Sequence, residues 1–401
     1  MSNSFLSLNL PKQRILSIDA FRGITILTMI FVNEVAGISG IPQWMKHMPA
    51  NADAMTFVDV VFPAFLFIVG MSIPFAIQQR IKKGDSFWKL QGHILSRTIG
   101  LLVLGVFMVN GESDYNEEAM GISIHIWSLC FYVAVILVWN VYSFENKNWT
   151  YLLRFTGIIG LIALATIYRS GDGSEYMQPR WWGILGLIGW AYLYACIFFQ
   201  LLRANKLGLL IMVLICTGIY ILGQQEFSRN TFLIWTTNQA GNAVHTSIVL
   251  CGTILSLIFF NHNDSTTRNK KFAEAALFTL GLVVAGYLLR PYFHISKIFA
   301  TPTWAFYSVV LCCIIFTLLY ILIDLKQIRN WTRFFQPAAS NPLLVYITPP
   351  ILFNIFQEFN FYPVPKNLLY GLPGVLWCFI YAVIIMWSAR GLNKLKIRLQ
   401  L

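Results

Sequence analysis

Residues 47–70 read HMPANADAMTFVDVVFPAFLFIVG, a short polar loop followed by an apolar run that is typical of a segment entering a membrane. Asp59 lies near the start of this run. A carboxylate at or inside a bilayer is costly, so an acid in this position is a candidate functional residue. His47 precedes it in the loop, and histidine is the side chain best suited to moving protons near neutral pH. The stretch therefore predicts a membrane protein that performs chemistry, or moves a proton, at one face of the bilayer.

The composition of the whole chain is that of a polytopic membrane protein. Of its 401 residues, 57% are hydrophobic and 11% are charged, about half the charged fraction of soluble domains. Segments of about 20 mostly apolar residues predict an all-α fold with about ten to twelve transmembrane helices, and we expect residues 1–401 to form a single transmembrane domain. The candidate spans lie near residues 17–38, 56–79, 93–111, 123–143, 151–168, 181–202, 208–223, 246–261, 273–290, 304–324, 341–357 and 369–389.

The net charge of +12 does not indicate a nucleic-acid partner, because the cations fall in short loops between apolar segments. When lysine and arginine are counted in alternate loops, one set holds 19 and the other holds 7. Since cytoplasmic loops carry the excess of these residues, both termini are predicted to be cytoplasmic. The loop that bears His47 is then predicted to lie on the opposite side of the membrane.

The first candidate span carries three polar residues of interest. Asp19 and Arg22 are three positions apart, so on a helix they share a face and can pair. The pair is either structural, or Arg22 uses its guanidinium to contact an anionic ligand such as a phosphate. Asn33 lies near the other end of the span, where its amide either makes a helix-end hydrogen bond or holds a carbonyl oxygen during a reaction.

The second candidate span contains Pro63, Gly70 and Ser72. Proline lacks a backbone N–H, so Pro63 frees a carbonyl near Asp59, and that carbonyl needs another partner in an apolar environment. Gly70 and Ser72 are small and permit close helix approach. His47 itself is either a solvated loop residue or part of a site with these polar groups.

Three features occur later in the chain. Lys297 is interpreted either as a snorkelling residue or as part of the site, and Asn341 either as a helix N-cap or as a ligand-binding residue. Trp304 is expected to lie in an interfacial aromatic belt.

No metal-ligand spacing, nucleophile elbow or phosphate loop occurs in the sequence, so no metal site is predicted. The histidines that could line the same pocket as His47 are His125, His245 and His294.

Four motifs together resemble the heparan-α-glucosaminide N-acetyltransferase family, whose bacterial relatives include the acyltransferase-like group DUF5009. They are R-x-x-S-x-D-x-x-R-G from Arg14, V-N at Asn33, D-x-V-F-P-x-F-L-F-I-V-G-x-S from Asp59, and K-x-x-x-T-P-T-W from Lys297. The resemblance implies about ten or eleven spans, acetyl-CoA as donor from the cytoplasm, and a terminal amino sugar as acceptor on the far side. It also implies that His47 and Asn33 are the active-site residues.

We therefore expect a transmembrane acetyltransferase that moves acetyl from acetyl-CoA to an extracytoplasmic amino sugar or glycan. His47 would be the base or a transient acetyl carrier, and Asn33 would hold the oxyanion. Asp59 and Asp19 are expected to have supporting roles. The expected acetyl-CoA-binding residues are Arg22, Ser72, Lys297 and Asn341.

Two other functions remain open at this stage. A proton-coupled transporter of sugars or glycan fragments would use Asp59 and His47 as a proton relay. A structural or assembly subunit would need no chemistry. The absence of a signal-peptide pattern in the first ten residues, together with the bacterial resemblance, predicts a bacterial inner membrane protein in contact with lipid. The oligomeric state is left open, a homodimer included.

Overall fold

The computed structural model describes residues 10–11, 14–261, 267–361 and 366–400. These residues form helices, with β-pairing limited to isolated bridges, and the all-α polytopic class is confirmed. The segment in which no signal peptide was predicted lies largely outside the described residues. The long helices are α1 (Leu16–Val35), α2 (Phe57–Lys82), α3 (Phe87–Glu112), α4 (Ile124–Trp139), α5 (Lys147–Ile167), α6 (Ile184–Leu201), α7 (Lys206–Gly223), α8 (Ile234–Phe260), α9 (Arg268–Leu289), α10 (Pro302–Leu319, continued by a π-helical turn to Leu325), α11 (Pro342–Glu358) and α12 (Gly371–Lys394).

Within the described residues, ten helices are long and apolar enough to cross a membrane. An eleventh span results if the segments Asn330–Ser340 and Pro342–Glu358, which are bent by 67° at their break, are counted as one. Helix α4 is apolar but shorter than the others. The predicted range of ten to twelve spans is therefore confirmed, and the cytoplasmic position of the termini stays a prediction.

Helix α8 begins at Ile234, well before the predicted start near residue 246. Its first turns are rich in polar residues, which lowers their hydropathy. Two of these residues bond to their own helix or its N-cap: the Thr236 hydroxyl donates to the Leu233 carbonyl at 2.7 Å, and the Thr246 hydroxyl donates to the Asn242 carbonyl at 2.7 Å. Polar side chains that bond to their own helix do not interrupt it, although they hide it from a hydropathy criterion.

The chain divides into two compact units. The first unit comprises Met1–Thr25, Pro42–Thr98 and Ile188–Arg333, and the second comprises Ile26–Ile41, Ile99–Leu187 and Phe334–Leu401. The single-domain organisation stays a prediction.

In the first unit, α8 is the buried central helix and packs against α2 and α7. Its contact with α2 depends on glycine. A Cβ atom at Gly70 would lie 1.9 Å from the Val249 carbonyl oxygen, and one at Gly252 would lie 2.0 Å from the Phe67 carbonyl oxygen. The Thr253 hydroxyl also donates to the Gly70 carbonyl at 3.0 Å. The close approach predicted for Gly70 is confirmed, and it fixes the position of α2 and of Asp59 at its start.

In the second unit, α4 packs against α5 and α11, and α11 packs against α12. Trp127 of α4 is fully buried, and its indole N–H donates to the Leu164 carbonyl of α5 at 2.9 Å. Phe107 of α3 stacks on the same indole with ring centroids 5.5 Å apart. The aromatic residues thus form the core of this unit.

Candidate functional site

The loop between α1 and α2 holds His47 beside the first turn of α2. The Thr56 hydroxyl donates to the Lys46 carbonyl at 2.8 Å, and the Gln43 amide donates to the His47 carbonyl at 3.2 Å. These side-chain bonds fix the loop backbone on both sides of the histidine. The His47 side chain is 40% exposed. The imidazole is therefore anchored at its backbone while its ring remains accessible.

Asp59 is almost fully buried because it forms part of the N-terminal cap of α2. The Thr56 hydroxyl accepts a bond from the Val58 N–H at 3.2 Å, and the Asp59 carboxylate accepts one from the Thr56 N–H at 3.0 Å. The Met48 N–H also donates to this carboxylate, at 3.3 Å. Such a capping box satisfies free N–H groups at a helix start, where a negative charge is also favoured by the helix dipole. The carboxylate is thereby held in one orientation.

His47 and Asp59 are hydrogen-bonded to each other. Their Nδ1 and Oδ1 atoms are 2.7 Å apart. An ionised carboxylate only accepts hydrogen bonds, so Nδ1 carries a hydrogen, and in the neutral imidazole the lone pair is on Nε2. A buried acid that orients a partly exposed imidazole in this way is an arrangement suited to a general base.

Lys297 lies against the same imidazole. Its Nζ atom is 3.1 Å from Nε2 and 3.3 Å from Nδ1 of His47. Burial lowers the pKa of the Lys297 ammonium below its usual range, and the Asp59 carboxylate offsets part of this effect. The ammonium thus contacts a histidine and lies near a buried carboxylate, and the interpretation of Lys297 as a snorkelling residue stays a prediction.

A second acid, Asp53, ties the His47 loop to the loop that bears Lys297. Its carboxylate accepts a bond from the Ile295 N–H at 2.8 Å and pairs with Arg290 at 3.0 Å. The bond from Ile295 is the main reason that the pKa of Asp53 is lowered, and Arg290 adds to it. His294, one of the histidines predicted near the pocket, lies 3.6 Å from the same carboxylate. These contacts position the Lys297 loop over His47.

Trp304 is the buried residue of the site and contacts the first turn of α2. It is fully buried, and its indole N–H donates to the Asp59 main-chain carbonyl at 3.1 Å. This is the carbonyl that Pro63 leaves without a helical partner, so the predicted need for another donor is confirmed. The expectation that Trp304 lies in an interfacial belt is wrong. The signal that pointed to its true role was the proline four residues after Asp59, but the sequence did not identify the donor.

His245 of α8 lies in the layer behind Trp304. It is 4% exposed, and its ring meets those of Phe62 and Trp304 edge-on, at centroid distances of 5.4 and 6.2 Å. Its Nδ1 atom has no hydrogen-bond partner among the described residues. His245 therefore supports the aromatic layer under Asp59 and does not reach the accessible face of His47.

A separate polar cluster lies further along α2 and at the start of α1. The Arg22 guanidinium pairs with Asp19 at 3.1 Å and donates to the Ser72 hydroxyl at 2.7 Å, while Arg14 pairs with Asp19 from the other side. The pairing of Asp19 with Arg22, predicted from their spacing, is confirmed. Ser72 lies thirteen residues after Asp59, which is about 20 Å along the helix.

The remaining predicted residues belong to the second unit. Asn33 is exposed on α1. Asn341 is the N-cap residue of α11, as predicted, but its side chain makes no capping bond, and its amide donates to Asn393 at 3.1 Å. Its Oδ1 atom is buried and has no partner among the described residues. His125 contacts Asn354 at 2.9 Å. The roles predicted for Asn33 and Asn341 stay predictions.

A known protein family matches the part of the chain that contains the His47–Asp59 pair. A family model described as a domain of unknown function, DUF5009, matches residues 14–243, more than half of the chain. The chain belongs to the DUF5009 family. The match includes both the His47–Asp59 pair and the Arg22 cluster. The family match ends before Lys297 and Trp304. In the folded DUF5009 protein these two residues contact His47 and Asp59.

The DUF5009 protein is also similar to curated proteins over short segments. It is 38% identical over 98 residues to the heparan-alpha-glucosaminide N-acetyltransferases of Homo sapiens and Mus musculus, which is 24% of the chain and 14% of each relative. It is 24% identical over 107 residues to nuclear envelope integral membrane protein 1 of Xenopus tropicalis, 27% of the chain and 24% of that protein. The matched segment therefore spans only a small part of the curated relatives.

Proposed function

We propose that this DUF5009 protein is an integral membrane acetyltransferase in which His47 is the general base and Asp59 its orienting partner. The observation that carries the proposal is the 2.7 Å contact between Nδ1 of His47 and the buried Asp59 carboxylate. It leaves Nε2 as the basic nitrogen on a ring that is accessible from outside. The similarity to two proteins named as N-acetyltransferases supports acyl transfer as the reaction.

The donor in this proposal is acetyl-CoA and the acceptor is an amino sugar or a glycan end. The acceptor amine attacks the thioester carbonyl, so a C–N bond forms and the C–S bond breaks. The proton leaves the amine for Nε2 of His47 and passes from there to the sulfur of coenzyme A. General-base help of this kind contributes about 10²- to 10⁴-fold in rate.

The Arg22 cluster is the proposed contact for the phosphates of coenzyme A. A guanidinium forks onto oxyanions. The Ser72 hydroxyl, which accepts a bond from Arg22 at 2.7 Å and donates its hydrogen to the Ile68 carbonyl at 2.9 Å, holds the guanidinium in place. Coenzyme A carries its thioester at the far end of a long flexible arm from its phosphates. A separation of about 20 Å along α2 between Ser72 and Asp59 suits such a molecule.

The charge distribution supports an arrangement across the membrane. If both termini are cytoplasmic, the start of α1 with Arg22 faces the cytoplasm and the loop bearing His47 faces the other side. The donor would then arrive from one side and the acceptor from the other. We infer a bacterial inner membrane as the location.

The test is turnover by the purified protein with acetyl-CoA and glucosamine-type acceptors. We expect acetylated product with the wild type and a loss of about 10²-fold or more with His47→Ala. His93→Ala is the matched control, because the His93 side chain is 42% exposed, close to the value for His47, and lies on α3. Absence of both turnover and coenzyme A binding in the wild type would overturn the function. Full activity of His47→Ala would overturn the site.

The rival function is proton-coupled transport, in which His47 and Asp59 form a relay. Protein reconstituted in vesicles with a pH-sensitive dye decides between them. Acceptor-driven proton uptake without acetyl-CoA would support transport, and product formation without proton uptake would support acetyl transfer.

A further inference from the structure

The first turns of α8 carry uncharged polar side chains along one face of the helix. Trp235, Asn238, Gln239 and Asn242 follow one another at helical spacing, so they share a face. These four residues form the amide stripe. Trp235 is 48% exposed, Asn238 is exposed, and Gln239 and Asn242 are partly exposed. The stripe is therefore accessible, whereas the most apolar part of α8 is entirely buried.

The amides of the stripe have hydrogen-bonding capacity that the fold leaves open. A neighbouring hydroxyl is occupied, since Thr237 donates to the Gly223 carbonyl at 3.0 Å. Nδ2 of Asn242 donates to Oε1 of Gln239 at 2.9 Å. Within the described part of the chain, no partner is seen for Oδ1 of Asn242 or for Nε2 of Gln239. The pair thus offers one acceptor group and one donor group side by side.

Helices α8 and α2 run in the same direction. The ring of His245 meets that of Phe62 near the start of α2, with centroids 5.4 Å apart. Further along both helices, the Ser256 hydroxyl donates to the Met71 carbonyl at 3.0 Å. Later residues of α8 therefore meet later residues of α2, and the two helices begin at the same end of their unit.

This packing places the amide stripe at the height of the candidate site. Asp59 precedes Phe62 by three residues, and Asn242 precedes His245 by three residues. Three residues correspond to about 4.5 Å along a helix in both cases. Asn242 therefore lies at about the level of Asp59 and of its partner His47. All of these residues belong to the same compact unit.

The chemistry of the stripe fits the hydroxyl groups of a sugar. No lysine, arginine, aspartate or glutamate occurs between Asn230 and Asn261, so the stripe does not select a charged group. An amide both donates and accepts hydrogen bonds, and a sugar hydroxyl does the same. The indole of Trp235 adds a flat apolar surface beside the amides, against which the carbons of a sugar ring can pack.

We propose that the amide stripe is the acceptor site, which binds the hydroxyl groups of the sugar and holds its amine toward His47. This inference rests on the proposed acetyl transfer and adds the acceptor-binding residues to it. Holding the attacking amine beside its base lowers the entropic part of the barrier. The two substrates are then sorted by charge, because the phosphates of coenzyme A meet Arg22 and the uncharged hydroxyl groups meet the stripe.

Steady-state kinetics with glucosamine as the varied acceptor tests the site. We expect Asn242→Leu to raise KM for glucosamine about fivefold, the effect of one lost hydrogen bond. The values of kcat and of KM for acetyl-CoA should stay close to those of the wild type, because the bond is present before and during the reaction. An unchanged KM for glucosamine would overturn the proposal, since the stripe would then be only a solvated helix end.

Trp235→Ala should raise KM for glucosamine by a similar factor. The matched controls lie together at the start of α5. Asn148→Leu replaces an exposed asparagine, and Trp149→Ala replaces a tryptophan that is 57% exposed. Both controls should keep the wild-type KM. Equal increases in the stripe variants and the controls would overturn the proposal, because the effect would then follow from any change at a helix end.

Deoxy analogues of glucosamine separate a contact with a hydroxyl group from a general disturbance. The 3-deoxy, 4-deoxy and 6-deoxy sugars each lack one hydroxyl. A site built to bind a hydroxyl discriminates against the analogue without it. We expect the wild type to show about a fivefold higher KM for one analogue, and Asn242→Leu to treat that analogue and glucosamine alike. Undiminished discrimination in Asn242→Leu would overturn the contact.

Saturation-transfer NMR with glucosamine, with and without coenzyme A, keeps failure of the site distinct from failure of the function. We expect a sugar signal with the wild type and a several-fold weaker one with Asn242→Leu. If this pattern occurs without turnover, acetyl transfer fails and the stripe still binds a sugar. No sugar signal with the wild type would overturn the acceptor site. Thermal unfolding in detergent checks the variant, and Gln239→Leu replaces it if it is unfolded.

Discussion

The indole N–H of Trp304 donates to the main-chain carbonyl of Asp59 at 3.1 Å, although the two residues lie far apart in the sequence. In a regular helix this carbonyl would accept from the residue four positions later, which is Pro63. Proline has no N–H, so α2 is left with one open acceptor in a buried position. Trp304 fills it, and in doing so fixes the first turn of α2 that carries Asp59.

Trp304→Phe is expected to destabilise the protein by about 1–3 kcal/mol, because it leaves this buried carbonyl without a donor. Pro63→Ala restores an N–H at the helical position. In the Pro63→Ala background Trp304→Phe should therefore cost less, with a coupling of about 1 kcal/mol. The measurement is a double-mutant cycle of thermal or denaturant unfolding in detergent. Strictly additive effects would contradict the compensation between the two residues.

Gly70→Ala and Gly252→Ala are each expected to destabilise the protein by several kcal/mol. A Cβ at either position would overlap a main-chain carbonyl of the facing helix, which cannot move as a flexible side chain does. Gly218→Ala on α7 is the matched control, because a Cβ there meets nothing within 4 Å. It should be neutral or stabilising by up to about 1 kcal/mol, as alanine is the better helix former. Equal unfolding temperatures for all three variants would contradict the close packing of α2 and α8.

Asp59→Asn is expected to lower kcat by about 10²- to 10⁴-fold. The amide oxygen can accept from the Thr56 and Met48 N–H groups only if its NH₂ group faces His47. The NH₂ group then donates to Nδ1, the hydrogen moves to Nε2, and the base is lost. The imidazole is thus present in the wrong tautomer.

The control for this substitution is Asp85→Asn at the turn between α2 and α3. The Asp85 side chain is 4% exposed, against 2% for Asp59, and it pairs with Lys89 at 2.6 Å. Its loss should lower the unfolding temperature without a comparable loss of kcat. A similar fall of kcat in both variants would show that Asp59 acts only through stability.

The sequence predicted those features of the fold that depend on a local pattern of residues. Apolar runs predicted the spans, the three-residue spacing predicted the pairing of Asp19 with Arg22, and Pro63 predicted an open carbonyl. The start of α8 was hidden because its polar side chains, such as Thr236, bond to their own helix. Hydropathy counts such residues as exposed polar groups, whereas the fold buries them.

The site was predicted only in part, for a different reason. The His47–Asp59 pair joins residues twelve positions apart, so one loop and one helix start are enough to form it. Lys297 and Trp304 reach the same place from more than two hundred positions away. Which cation meets the histidine, and which donor meets the carbonyl, depends on how α10 packs against α2 and α8, and no local pattern records that.

Arg22→Gln is expected to raise the Kd for coenzyme A about tenfold, the effect of losing one charge-assisted hydrogen bond of about 1.4 kcal/mol. Asp19→Asn should lower the Kd, because Asp19 competes with a phosphate for the same guanidinium. Calorimetric titration with coenzyme A measures both. Arg180→Gln is the control, since Arg180 also pairs with an aspartate, Asp114, at 2.8 Å. Unchanged affinity in Arg22→Gln would show that the pair with Asp19 is purely structural.

Asp53→Asn is expected to lower stability near neutral pH by about 1 kcal/mol, since Asp53 joins the two loops of the site and is partly exposed. The pKa of Asp53 is lowered in the fold, mainly by the bond from the Ile295 N–H. The contribution of Asp53 to the free energy of unfolding is therefore fully present above the ordinary pKa of about 3.9. It is lost as the pH falls through the lower pKa of the folded state. The gap in unfolding temperature between wild type and variant should therefore be constant above about pH 5 and should begin to narrow below about pH 4. Asp172→Asn is the control, because hydrogen bonds also lower the pKa of Asp172 but come from Ser174, two residues on. Substituting Asp172 should change stability less than substituting Asp53, because its bonds lie within one turn and join no separate loops. A gap for Asp53→Asn that does not narrow as the pH falls below about 4 would mean that the carboxylate charge does not hold the loops together.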